Sequence, residues 1–211
     1  MDNTYLMKEY ELCFAQFRFY DERHESILKY IFSLATAVAT AGVAVYKLLN
    51  GATAAFFLCE VLLSGIVFIA TLLLGFAMLQ NRLYFVYVAR QINAIRGYLM
   101  KTAAGEFKDN QMYTSTDFPA LKPFSVHTFQ LLGAALISAV FAGLCAYSVG
   151  PAHGYGPHLG VGLVICLTVF VAEAAGGSWY LATSGKKPAD ISIHGVKPQT
   201  QPEHPTPKDK G

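Results

Sequence analysis

Charge is what this sequence has least of. Only 14% of its 211 residues are Asp, Glu, Lys or Arg, while 54% are hydrophobic. That balance is too apolar for a soluble domain of this length. The formal net charge is +2, which gives no broad basic surface, so direct nucleic-acid binding is not expected. Cysteine is sparse too. Cys13, Cys59, Cys145 and Cys166 form no CxxC, and three of them lie in apolar runs. Neither a disulfide framework nor a zinc site has the spacing it needs, and inert buried thiols are expected. No P-loop, GxGxxG, HExxH or GxSxG occurs. These absences remove the usual nucleotide-binding and nucleophile–base constellations, so a non-enzymatic protein without a cofactor is expected. His153 and His158 flank a Gly-rich loop but have no further ligands beside them, which argues against a metal. Proline is missing from the whole stretch 53–100, so nothing interrupts a single helix there.

What is present is long apolar runs. They cover 27–49, 53–80, 124–149 and 158–184, and each exceeds the roughly 20 residues that cross a hydrocarbon core. The first two are joined by Leu49-Asn50-Gly51-Ala52, whose Asn-Gly suits a helix end and a reversal. The predicted fold class is an all-α integral membrane protein. It is a four-transmembrane-helix bundle whose first two helices extend into a cytoplasmic helical stalk. Five regions follow: a cytoplasmic amphipathic helix at 1–26, a transmembrane hairpin at 27–80, a stalk and connector at 81–123, transmembrane helices 3 and 4 at 124–184, and a disordered proline-rich tail at 185–211.

Before the first run, Met1–Glu25 carries charges of both signs, so an uncleaved anchor is expected rather than a signal peptide. Tyr10, Cys13, Phe17, Tyr20, His24, Ile27 and Ile31 recur at steps of three and four, an apolar seam on one helix face. Phe85, Val88, Ile92, Ile95 and Leu99 form a matching seam after the second run. The two are expected to pair as an antiparallel stalk. His24 sits on the seam, either packed or as a pH sensor. All of the 16 Lys and Arg residues except Lys47 fall on one side of this topology. By the positive-inside rule both termini and the stalk are expected to be cytoplasmic, in a multi-pass protein.

Few polar residues enter the spans. Thr53, Glu60, Ser64, Thr71, Gly75 and Arg82 share one stripe of the second helix, and Glu173 marks the fourth. An intramembrane acid is costly and faces protein or water, with a partner. Lys47 can bend toward Glu60. Lys29, Ser33, Thr36, Thr40 and Lys47 share a face of the first helix, so three polar faces can meet in one seam. Glu60, Glu173, Lys47, Ser64 and Thr71 are therefore candidates for an ion pathway, or for pairs that only fix helix register. Arg23, His24, Arg82, Arg90 and Arg96 are candidates for a partner-binding stalk, where basic residues also meet anionic headgroups. Ala134, Ser138 and Ala142, with Ala135, Ala139 and Gly143, are small-residue ladders that favour close helix contact and a homo-oligomer.

The run Tyr10-Glu11-Leu12-Cys13, then Phe19-Tyr20-Asp21-Glu22-Arg23-His24, then an apolar span, resembles small uncharacterised bacterial multi-span membrane proteins. It is similar to the paired-span effectors called SLATT, and the layout resembles four-span accessory proteins of antiviral defence systems. The likeness covers about the first hundred residues, and the two further spans depart from the paired-span group. It implies an oligomeric effector in a bacterial inner (plasma) membrane that perturbs the bilayer, with pore formation as one route, controlled when a cytosolic protein or nucleotide signal engages the stalk. It carries over no catalytic residue. The other readings are a small proton- or cation-coupled transporter or channel using Glu60 and Glu173, and a scaffold.

Overall fold

Two of the helices are far longer than a bilayer requires. α1 (Asn3–Leu48) has 46 residues and α2 (Ala54–Thr102) has 49. Each is about 70 Å long against a hydrocarbon core of about 30 Å. α3 (Val126–Ala152) and α4 (Leu159–Ser184) have 27 and 26 residues. The structure, a computed structural model, describes residues 3–102, 117–156 and 158–185. All four helices are long and apolar enough to cross a membrane. Most of the expected connector, over 103–116, and the tail beyond Gly185 lie outside the described residues.

The reversal between α1 and α2 forms as its residues predict. Asn50 and Gly51 take positive φ, at 55° and 122°, a region open to Gly and tolerated by Asn. The Gly51 amide donates to the Tyr46 carbonyl at 3.0 Å, closing the end of α1. Thr53 belongs to this turn and not to the polar stripe, since its Oγ1 accepts from the Phe56 amide and caps α2. α3 starts on Ser125, whose hydroxyl accepts from the Thr128 amide. It runs through Pro151 to Ala152, three residues past the expected end of the span.

Beyond the shorter helices, α1 and α2 pair along the two predicted seams. Cys13 packs with Ile92 and Ile95, and Tyr10, Phe14, Phe17, Val88 and Leu99 close around them. A second cluster joins Ile27 and Ile31 of α1 to Met78 of α2 and Ala134 of α3.

The four helices pack in a row rather than as a closed ring. α2 lies against α1 and α3, α3 against α2 and α4, and α1 does not meet α4. The small-residue ladders explain the order. Ala134, Ala135, Ser138, Ala139, Ala142 and Gly143 are all buried inside the chain, so they serve α3's own packing and no longer argue for a homo-oligomer. Gly143 and Gly162 mark the closest crossing: a Cβ on Gly143 would stand 2.7 Å from the Gly162 carbonyl oxygen. α4 leaves Leu163, Leu167 and Trp179 more than 60% exposed. Such an apolar surface is stable only against lipid or another protein.

Candidate functional site

Where α1, α2 and the start of α3 meet, the structure gathers a polar cluster that the sequence only half reveals. His24 is 1% exposed, and among the described residues neither of its ring nitrogens has a hydrogen-bond partner. Its ring stands edge-on to His127, 4.9 Å between centroids, and His127 Nε2 lies 3.2 Å from Asp21 Oδ1. Asn81 Nδ2 donates to the Tyr20 carbonyl at 2.7 Å, while its buried Oδ1 has no partner among the described residues. Arg82 is 3% exposed and donates from Nε to the Ala120 carbonyl at 3.1 Å. Its guanidinium also lies over Phe85. Burial pushes His24 down to about 4, with His127 and Arg82 adding repulsion. Burial also lowers Arg82 to about 10, against the attraction of Asp21.

His24 is therefore neutral at pH 7, and sensing near neutrality is not what this environment favours. Its folded-state pKa lies below the unfolded value of about 6.5, so the unfolded chain binds the extra proton. Stability should be highest above about pH 6.5, fall as pH drops toward about 4, and level off below that. The loss is on the order of 3 kcal/mol. His24→Leu should remove this acid-side decline. It should also stabilise the protein by about 1–3 kcal/mol, because two unsatisfied buried polar atoms disappear. Thermal denaturation in detergent between pH 4 and 8 checks both outcomes.

The basic residues expected to form an outward face are largely turned inward. Arg90 Nε donates to the Phe118 carbonyl at 3.0 Å and its Nη2 to the Gly185 carbonyl at 2.7 Å. Tyr87 Oη donates to the Ser184 carbonyl at 3.3 Å. Arg96 donates to Tyr10 Oη at 3.1 Å and lies over the Tyr10 and Phe14 rings. The physical reason is a set of carbonyls with no helical partner, at the end of α4 and in the non-helical segment 117–120, which guanidinium groups satisfy. Arg23 and Lys101 remain exposed. Sequence reasoning found Arg82, Arg90 and Arg96 but not their acceptors, and it missed Asp21, Asn81 and His127.

The two acids expected within the spans, Glu60 and Glu173, lie on different interfaces. Glu60 faces α1 at Gly42, where an added Cβ would come within 3.1 Å of Glu60 Oε2. Lys47 does not pair with it. Lys47 is exposed, and the ion pairs among the described residues are Lys29–Glu25 and His127–Asp21. Gly42, not Lys47, is level with the carboxyl, and Lys47 lies more than a turn farther along α1. Ser33, Thr36 and Thr40 face outward, and the two threonines bond carbonyls of their own helix. Ser64 and Thr71 are buried, but each hydroxyl donates to a carbonyl one turn back. Glu173 instead belongs to the α3–α4 interface, where Ser138 Oγ donates to its Oε1 at 2.7 Å. The three polar faces do not merge into one seam.

No protein-family model matches the chain, and neither the curated proteins nor the solved structures contain a match to it.

Proposed function

We propose that this chain is a non-enzymatic protein of a bacterial inner membrane, an effector or accessory protein whose cytoplasmic stalk governs its transmembrane helices. The observation that carries the reading is the bridge made by Arg90. One guanidinium on the paired α1–α2 extension holds both the segment entering α3 and the carbonyl of Gly185, which caps α4. A cytosolic protein or nucleotide signal that shifts the extension would shift α3 and α4 with it. Membrane perturbation, as in the antiviral effectors that the N-terminal pattern resembles, fits this coupling. It would take more than one copy, because Glu60 and Glu173 sit on separate interfaces of a single chain. The same separation weakens the transporter reading, which needs both acids on one path.

The test is membrane potential, read with a voltage-sensitive dye in bacteria producing the full chain at matched levels. Wild type should leave the potential intact, and Arg90→Met should depolarise the cells within one induction period. Equal potentials in wild type and Arg90→Met would count against control through the stalk.

A further inference from the structure

Because α2 and α4 scarcely touch, a crevice of about 610 Å³ opens between them, with α3 as its floor. Gly75 and Phe76 line it from α2, Leu131 from α3, and Glu173, Gly176 and Trp179 from α4. Phe76 is 56% exposed and Trp179 70%, so the opening faces sideways, toward lipid in a membrane. The volume suits a small ligand, and a mostly apolar wall with a few polar groups, here Gln80, Thr128, Glu173, Ser178 and Tyr180, is the usual make-up of such a site.

We infer that this crevice binds a lipid-soluble cation, an amine with an apolar body, with Glu173 as its counter-ion. Three observations carry the choice. Among the described residues the lining contains one acid and no Lys, Arg or His, so the formal charge on the wall itself is negative. Ser138 supplies a single hydroxyl to that carboxyl, which leaves most of the cost of an acid in this setting to be offset by the guest. Glu173 also lies deep, about 17 Å along the helical rise from the end of α4. A phospholipid headgroup would have to leave the interface to reach it, whereas a lipid-soluble amine would not. Gly75 and Gly176 border open space, since a Cβ on either meets nothing within 4 Å.

The inference does not depend on control through the stalk, and its readout is separate. The full chain in phospholipid nanodiscs is titrated with a dansyl-hexylamine probe and with its N-acetylated, uncharged form, following dansyl fluorescence. Saturable binding is expected, with the amine at least tenfold tighter than the acetylated probe. Glu173→Gln should abolish the preference, and Gly176→Leu should weaken both probes by occupying the space. No saturable binding, or equal affinity of wild type for the two probes, overturns the proposal; that comparison needs no variant to fold. Equal affinity would make the crevice a groove for acyl chains alone, and a preference that survives Glu173→Gln also overturns the proposal, because the counter-charge would then lie elsewhere.

Discussion

Gly143→Leu should abolish the folded bundle in detergent, and Gly143→Ala should lower its stability by about 1–3 kcal/mol. The cause is the crossing of α3 and α4. A Cβ on Gly143 would lie 2.7 Å from the Gly162 carbonyl oxygen and 2.8 Å from Cys166 Cβ. Neither neighbour is the free end of a flexible side chain, so the helices themselves must separate. The contact is reciprocal, because a Cβ on Gly162 would lie 2.9 Å from the Gly143 carbonyl oxygen and 3.0 Å from Tyr147 Cβ. The two alanine variants should therefore be non-additive: once one opens the crossing, the second costs less. Gly133→Ala on α3 and Gly160→Ala on α4 are the controls. Nothing lies within 4 Å of a Cβ at either place, and each should be neutral or gain up to about 1 kcal/mol from helix propensity. Thermal melts of these five single variants and of the Gly143→Ala/Gly162→Ala double variant decide the matter. Equal losses at Gly133 and Gly143 would show that glycine is not required at the crossing.

The helices were legible in the sequence because each signal is local. Apolar run length, the Asn50-Gly51 reversal and the absence of proline from 53 to 100 are properties of neighbouring residues, and α1, α2 and α4 end within a few residues of where these place them. Seam positions such as Cys13, Ile92 and Ile95 were legible for the same reason, since period alone selects them. The side-chain partnerships depend on register between distant segments. The small ladders announce close approach but not whose helix approaches, and α3 uses them inside the chain. A carbonyl that accepts from arginine has no sequence signature, so the inward direction of Arg82 and Arg90 could not be read from charge placement. His24 and His127 are brought together only because α3 begins beside α1. Lys47 and Glu60 fail to meet because the hairpin sets Gly42 against the carboxyl. Ser138 was visible as a small residue, and only the packing of α4 makes it the partner of Glu173.

Arg90→Met should release the segment at 117–121 and the last turn of α4 together. In the folded chain the two converge on one core. Ala120 and Leu181 are buried with Leu83, Phe85 and Val86, and a Cβ on Gly185 would stand 2.5 Å from that of Ala120. Arg90 is the polar tie across this core, with Nε on one strand of backbone and Nη2 on the other. The second contact falls at a helix C-terminus, where a cation is also favoured by the dipole. Losing two charge-assisted hydrogen bonds at a half-buried site costs about 1.5–3 kcal/mol in total. Backbone amides of both segments should then exchange with deuterium at least tenfold faster, measured by mass spectrometry on the full chain. Arg90→Lys should restore at most part of the protection, because an ammonium is one compact charge and cannot span both carbonyls as the planar fork does. Arg82→Met should behave differently. Arg82 makes its bond to Ala120 from a buried position, so an apolar replacement regains desolvation energy as it loses the bond, and the net change should stay small. Faster exchange in only one of the two segments would mean that Arg90 does not couple them.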